Sequence, residues 1–365
     1  MDEDMTGNSE KIPLLELAPK EMEELAASWG YPEYRGRQLY NWIFAHQCED
    51  LQLMSDLPSS FRVCLQERTI LVLPVIEQVL TARDGTRKFL VRMADGIKVE
   101  MVAIPHDRGA LTSYTLCISS QAGCPLGCAF CATGASGFKR NLQAAEIAGQ
   151  VLRARQSLQV LLSPLDLEQG RLVSNIVLMG MGEPLLNYDS SIKAVKIINE
   201  AKGINIGQRH ITISTAGMVP GIYRLAGENL QITLAVSLHA ADDAKRDRLV
   251  PLNRKYPLGE LMKAIDEYIL QTGRRVSLEY VMLKGVNISR EDAGRLAALA
   301  RGRLVNINLI PFNATAQGAF RAPGRNEVLA FQRWLSASGV DVTVRKEHGA
   351  DIDAACGQLA MRTDD

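Results

Sequence analysis

Cys124-Pro125-Leu126-Gly127-Cys128-Ala129-Phe130-Cys131 interrupts an otherwise regular alternation of strand-like and helix-like runs. It lies among Gly, Ala and small polar residues from position 119 to 135, the composition of a loop rather than a packed element. Three thiolates spaced C-x3-C-x2-C on a loop can all reach one metal centre. Disulfides among them would close rings too tight for the geometry of the bond. Three thiolates are one short of the four that fully ligate a four-iron cluster, so one iron would stay open to a substrate or cofactor. A C-x2-C pair also occurs in zinc sites. Zinc would need a fourth thiolate or imidazole, and residues 119–140 contain no His. Cys117 could serve only if its predicted strand turned back. The spacing therefore favours an iron–sulfur cluster over zinc.

On either side of this loop, Val/Ile/Leu-rich runs begin at Tyr114, Asn175, His210, Ile232, Val276 and Val305. Helical patterns at 144–158, 191–201, 258–270 and 290–301 follow most of them, with Gly-containing loops between. Repeated strand–helix units predict a parallel sheet covered by helices. Six such units are two short of a closed eight-fold barrel, so the expected fold is α/β, an open partial (β/α)6 barrel. A last helix at 326–338 and a strand at 340–346 complete it.

Ahead of the barrel the period is two. Strands are predicted at 75–80, 87–92 and 98–104, with hairpin turns at Asp84-Gly85 and Asp95-Gly96 and the small antiparallel sheet ending near Pro105. Residues 14–68 read as helical, with Pro19 opening a helix and Arg35 and Arg37 on a basic edge. The expected organisation is a disordered tail (1–11), a small helical N-terminal accessory domain (12–70), a short antiparallel β extension (71–109), the barrel (110–347) and a C-terminal tail (348–365).

Composition narrows the class. The 365 residues are 47% hydrophobic and 22% charged, with 41 basic and 41 acidic side chains. A zero net charge gives no global attraction for nucleic acid, though a local basic patch remains open. No apolar run reaches membrane-span length, and the polar start lacks a secretory h-region. Seven irregularly spaced cysteines argue against a disulfide scaffold and for a reducing, cytoplasmic setting. Cys48 and Cys64 sit in apolar helical contexts and read as core. Cys356, beside Gly357 and after Asp351 and Asp353, reads either as a buried structural thiol or as part of an ordered loop.

In parallel barrels, chemistry collects at the C-terminal ends of strands. There the sequence carries Gly180-Met181-Gly182-Glu183-Pro184, Ser214-Thr215-Ala216-Gly217, Ser237-Leu238-His239-Ala240 and Pro311-Phe312-Asn313, besides the cysteine loop. Each alone is a turn or a strand end; five on one rim predict a ligand site.

The motif Cys124-x3-Cys128-x2-Cys131 resembles that of radical S-adenosylmethionine (SAM) enzymes. With Ser119-Ser120-Gln121-x-Gly123, Gly137-Phe138-x-Arg140-Asn141-Leu142, Met179-Gly180-Met181-Gly182-Glu183-Pro184, Val236-Ser237-Leu238-His239-Ala240 and Asp353-Ala354-Ala355-Cys356-Gly357-Gln358-Leu359, the chain from about residue 14 to 359 resembles the RlmN/Cfr family of RNA methyltransferases. The resemblance implies one [4Fe-4S] cluster on Cys124, Cys128 and Cys131. It implies SAM contacts from Gly182, Glu183, Ser214, Ser237, Leu238, His239 and Asn313. It implies a methyl group placed on C2 of adenosine in 23S rRNA (position 2503) and tRNA (position 37), or on C8 in the sister branch. Two SAM are used per turnover. One methylates Cys356; the other yields a 5′-deoxyadenosyl radical that takes hydrogen from that methyl. The carbon radical adds to adenine, a base matching Glu100 removes the C2 proton, and Cys117 releases the product by forming a transient disulfide with Cys356. Read without the resemblance, Glu100 would face outward on its strand. A flavodoxin-like electron donor and a monomer without membrane contact are also implied. RNA-contact candidates are Arg35, Arg37, Lys139, Arg140, Arg209, Arg345, Lys346 and Lys245-Arg246-x-Arg248, the last group reading equally as a solvated helix face.

Overall fold

The computed structural model describes residues 11–108, 111–160, 172–313 and 320–359. Of the expected tail at 1–11, all but Lys11 lies outside them.

Strand β1 (Ile12–Pro13) opens the described chain. Helices α1 (Pro19–Ser28), α2 (Tyr34–Phe44) and α3 (Ser59–Arg68) follow. Pro19 sits at the first position of α1, where a missing N–H costs nothing. Met22, Leu39, Ile43, Phe44 and Phe61 recur at helical spacing and are fully buried. Tyr40 and Asn41 reach the barrel helices, donating to the carbonyls of Ile197 and Lys202 at 3.4 Å each. One hydrophobic core runs without a break from Leu14 to Leu359.

Strand β2 (Thr69–Ile70) pairs with β1. Then come β3 (Val75–Thr81), β4 (Arg87–Arg92), β5 (Lys98–Arg108) and β6 (Leu111–Cys117), paired antiparallel in succession. The expected end of the small sheet near Pro105 is corrected: β5 continues to Arg108 and pairs along its second half with β6. Pro105 is tolerated because it lies late in a long strand rather than ending it. β6 is also the first parallel strand, so extension and barrel share one sheet.

The short strands β7 (Gln121–Gly123) and β8 (Phe138–Asn141) clasp the cysteine loop and helix α4 (Ala132–Ala135). Beyond them alternate α5 (Ala144–Gln159), β9 (Val173–Leu178), α6 (Tyr188–Asn199), β10 (Ile211–Thr215), α7 (Val219–Ala226), β11 (Thr233–Ser237), α8 (Asp243–Leu249), α9 (Leu258–Thr272), β12 (Val276–Met282), α10 (Arg290–Ala300), β13 (Val305–Pro311), α11 (Arg325–Ala337) and β14 (Val342–Val344). The main sheet has the order β14-β13-β12-β11-β10-β9-β6-β5-β4-β3. Its members from β6 to β14 are parallel. β14 and β3 occupy opposite edges, so the barrel is open, as the six-unit count predicts.

The parallel strands do not read as uniformly apolar, because only one face packs on helices. Ile211 and Ile213 are fully buried, whereas Thr212 and Ser214 between them are half-exposed. In β12, Val276, Leu278 and Tyr280 are buried against helices, while Ser277 and Glu279 bond to each other and to Asn306 and Asn308 of β13. That alternation leaves a polar lumen.

Two minor expectations change. Cys48 lies in the coil after α2, half-buried, and its thiol donates to the Asp50 carbonyl at 3.3 Å. Cys64 is half-buried on α3 rather than in the core.

Candidate active site

The cysteine loop is built by close backbone packing. Gly123 has φ +79, and a Cβ there would stand 1.8 Å from the Gly137 carbonyl oxygen, so only glycine fits the β7–β8 clasp. Cys124 N–H donates to that same carbonyl. Cys124, Cys128 and Cys131 are half-buried, and all three line one cavity at the C-terminal rim of the parallel strands. Burial pushes the Cys124 thiol up to about 12, with Glu183 and Cys131 adding to the Leu126-opposed shift. Burial likewise pushes Cys128 up, helped by the two neighbouring thiols. Among the described residues, no three His, Cys, Asp or Glu side chains converge as a single-ion site would need. The three soft donors instead face a shared space, which suits a thiolate-bound cluster.

Across that cavity stand Gly182, Glu183, Ser214, Ser237, His239 and Asn313. Glu183 is 3% exposed. Its carboxylate accepts from Ala216 N–H at 2.7 Å and Leu185 N–H at 3.0 Å. Burial nevertheless pushes it up to about 7, against those hydrogen bonds and one from Thr215. An arriving cation would restore its carboxylate form. Gly182 has φ +105, and a Cβ there would meet Gln121 Cβ at 2.5 Å. Gln121 in turn accepts from Glu183 N–H at 2.8 Å, which ties the carboxylate turn to the cysteine clasp.

His239 occupies the left-handed region at φ 60 and is buried. Its Nδ1 accepts from Val281 N–H at 3.0 Å, which puts the proton on Nε2. Burial, with the charge of Arg246 beside it, pulls the ring down to about 3, so it is a neutral donor. Phe130 of the cysteine loop packs edge-on against it at 4.6 Å. Leu238 differs from its neighbours: its side chain is fully buried and only its backbone serves the rim, donating to the Glu279 carbonyl at 3.0 Å.

A second cavity adjoins the first through Cys131, Met179, Gly180, Arg345 and Cys356, which line both. Cys117, the last residue of β6, and Cys356 of the tail are on its walls. Cys117 is buried and pushed up to about 12 by burial and by Cys356, with Arg345 and the Met179 N–H opposing. Cys356 is exposed, which answers the open choice in favour of an ordered loop.

The tail is clamped on both sides. The β3–β4 turn holds its start: Asp84 accepts from Gly349 N–H at 3.3 Å and pairs with His348 Nδ1 at 3.0 Å, and Arg83 N–H donates to Asp351 at 3.1 Å. The cysteine loop holds its end: Ala132 N–H donates to the Gly357 carbonyl at 2.8 Å, and Thr133 Oγ1 to the Leu359 carbonyl at 2.6 Å. Asp353 with φ 51 and Gly357 with φ +83 shape the bend that presents Cys356.

Glu100, read outward on sequence alone, is 4% exposed and pairs with Lys88 Nζ at 3.3 Å. Lys88 also donates to the Asp353 carbonyl of the tail at 3.4 Å. Glu100 is two and four residues from Val102 and Ile104, which line the second cavity, so it shares their face of β5.

The basic candidates separate. Lys139, Arg209 and Arg248 are exposed, and Arg37 pairs with Glu23. Arg140 is committed to Glu146, two-pronged at 2.7 Å, and to Asp95 at 2.8 Å. Arg345 lines both cavities; Cys356, opposed by burial and helped by Glu279 and Cys117, raises it. Arg246, expected on a solvated helix face, is fully buried. Glu279, 4% exposed on the lumen face of β12, lines the first cavity. Sequence reading missed it because Val-Ser-Leu-Glu-Tyr carries only a strand signal; the glutamate at an inward parity was the available clue.

The chain matches the Radical SAM superfamily over residues 118–297. Residues 12–71 match the ribosomal RNA large subunit methyltransferase N-terminal domain. It is 50% identical over 350 residues to the probable dual-specificity RNA methyltransferase RlmN of Syntrophomonas wolfei, covering 96% of this chain and 97% of that protein. It is 44% identical to the protein of the same description from Thermotoga neapolitana, covering 96% and 97%. A crystal structure of a radical SAM methyltransferase from Sphaerobacter thermophilus superposes with a TM-score of 0.88 at 44% identity, over 95% of this chain and 99% of that one.

Proposed function

Since the chain belongs to the RlmN family of radical SAM, dual-specificity RNA methyltransferases, we propose that it methylates C2 of adenosine in 23S rRNA (position 2503) and in tRNA (position 37), with Cys356 as methyl carrier. The observation that carries this reading is the pair of thiols, Cys117 and Cys356, on the walls of one cavity that shares lining residues, Cys131 and Cys356 among them, with the cavity of the three-cysteine loop. Adenine C2 is an electron-poor aromatic carbon, so a direct polar methyl transfer from SAM is unfavourable. When bound, the cluster on Cys124, Cys128 and Cys131 supplies the electron that turns SAM into a hydrogen-abstracting radical.

The chain's own residues do the rest. Glu183 pairs with the ammonium of SAM, and Ser214, His239 Nε2 and Asn313 offer hydrogen bonds to its carboxylate, ribose or base. Ser237 and the Leu238 backbone shape the wall beside them. The Cys356 thiolate takes a methyl from one SAM by displacement at the methyl carbon, with S-adenosylhomocysteine leaving, and presents it from an exposed loop. A second SAM is then consumed, giving two per turnover. After the methylene radical has bonded to adenine, the adduct would give up one electron to the centre held by Cys124, Cys128 and Cys131, and Glu100 accepts the C2 proton, with Lys88 as its counter-ion. Cys117 attacks the sulfur of Cys356; the carbon–sulfur bond breaks with its electron pair left on the methylene carbon, which takes a proton to become the methyl, and the disulfide that forms is reopened by an external reductant. An electron donor of the flavodoxin type and a monomeric enzyme complete the reading; among the described residues, no helix is long and apolar enough to cross a membrane.

Glu183→Gln keeps the shape and removes the charge. A charge-assisted hydrogen bond contributes about 1.5–3 kcal/mol, so SAM affinity should fall roughly 10- to 100-fold in equilibrium dialysis while iron content stays at the wild-type level. Unchanged affinity would remove Glu183 from the SAM ammonium. The reaction itself is tested by nuclease digestion and mass spectrometry of RNA from a deletion strain and its complemented parent. Loss of 2-methyladenosine from both rRNA and tRNA is expected. Retained 2-methyladenosine with loss of an 8-methyl product would move the chemistry to C8.

A further inference from the structure

Helix α8 carries the run Asp242-Asp243-Ala244-Lys245-Arg246-Asp247-Arg248, which reads as a solvated face. Arg248 is exposed and Lys245 and Asp247 are half-exposed, yet Arg246 is 0% exposed. Its donors run to neutral acceptors: the carbonyls of Leu238 (3.0 Å), Ser237 (3.3 Å) and Ala216 (2.6 Å), and Asn253 Oδ1 (2.8 Å). The carboxylates of Asp243 and Asp247 are reached only through Asn253, whose Nδ2 donates to both. A buried guanidinium held by dipoles rather than by a contacting anion is costly in a low-dielectric interior. Burial pulls it down to about 10, so it remains a cation at neutral pH.

Its position suggests what offsets that cost. Ala216 and Ser237 line the first cavity at the ends of β10 and β11, and Leu238 follows Ser237 in the chain. The other side of α8 grips the cysteine loop: Ala129 N–H donates to the Leu249 carbonyl at 3.0 Å. Cys128 packs into the apolar cluster formed by Ala216, Ala240, Leu249 and Val250. Arg246 and Cys128 meet at the same group: the guanidinium donates to the Ala216 carbonyl, and Cys128 packs on the apolar cluster that contains Ala216. A four-iron cluster on three thiolates is anionic and gains a further negative charge on reduction, and cluster potentials follow net local charge and burial.

We propose that Arg246 is the buried counter-charge of the three-cysteine centre, raising the potential at which it accepts an electron. This rests on the reading that Cys124, Cys128 and Cys131 hold a [4Fe-4S] cluster. Arg246 touches no reacting atom; it acts through the cluster, and a merely structural strut tying β10 to β11 would leave the potential alone.

The test is an anaerobic reductive titration followed by electron paramagnetic resonance, on holoprotein whose iron content has been measured. Arg246→Gln should lower the one-electron reduction constant about tenfold, or about 59 mV. Arg246→Lys should stay near wild type. The double variant Asn253→Asp/Asp247→Asn keeps net charge and the hydrogen bond between positions 253 and 247, gives up the one to the exposed Asp243, and brings a carboxylate against the guanidinium; it should also lower the potential. Arg246→Gln with full iron and a wild-type potential would overturn the proposal, as would Arg246→Lys falling as far as Arg246→Gln. If Arg246→Gln does not load a cluster, the double variant decides: a fall supports the counter-charge, and an unchanged potential overturns it. A wild-type protein without any [4Fe-4S] signal would remove the cluster reading itself, and this proposal with it.

Discussion

Cys356→Ala should abolish RNA methylation, an expected loss of about three orders of magnitude or more, the scale seen when a covalent nucleophile is removed, while iron content and SAM binding should stay at wild-type levels. The selectivity follows from geometry. Cys356 is an exposed residue on a loop clamped by the β3–β4 turn and by α4. Its side chain contributes no core packing, so the fold has little to lose. Cys124, Cys128 and Cys131 belong to a different loop, and Glu183 and His239 to different strand ends. The measurement is transfer of labelled methyl from SAM to RNA, alongside iron analysis. Methylation retained by Cys356→Ala would reject the carrier role. Loss of iron together with activity would trace the effect to the clamp between Gly357 and Ala132 rather than to the thiol.

Cys117→Ala should give the opposite result, accumulation instead of loss. Without the resolving thiol, the bond between the Cys356 methylene and adenine has no internal route to cleavage. A covalent protein–RNA species should build to a large share of the enzyme and migrate as a shifted band on a denaturing gel. Nuclease treatment should leave one modified adenosine on the peptide containing Cys356. Cys117 is the last residue of β6 and buried, with a thiol pushed up to about 12, so it is mostly protonated until something stabilises its thiolate. Arg345, lining the same cavity, supplies that field. Free methylated RNA at wild-type yield from Cys117→Ala would exclude the disulfide route.

Much of this arrangement was legible in residue order. Strand starts near Tyr114, Asn175, Ile232, Val276 and Val305 follow from short β-branched runs. The rim residues announce themselves because small and polar types recur where apolar runs stop. What residue order conceals is which side of a strand becomes a lumen and which distant segments meet. Glu279 looks like an ordinary strand glutamate until β12 and β13 curve around an open centre. The clamp between Asp84 and His348 joins positions 264 apart in sequence, and no local signal points from one to the other. The charge run on α8 hides Arg246 because solvation is the default for such a run, and only the packed ends of β10 and β11 make its burial affordable. Pro105 misled for a related reason: proline ends many strands, but a late position in β5 leaves the ladder to β6 intact.

Passage of the methyl through Cys356 is the central claim, and a single-turnover label transfer tests it most directly. The enzyme is first incubated with SAM bearing a deuterated methyl, separated from the excess, and then given unlabelled SAM, reductant and RNA. The first methyl per enzyme recovered in RNA should carry deuterium, because it comes from the label stored on Cys356. A first-turnover methyl free of deuterium would mean that the group travels from SAM to adenine without stopping on the protein.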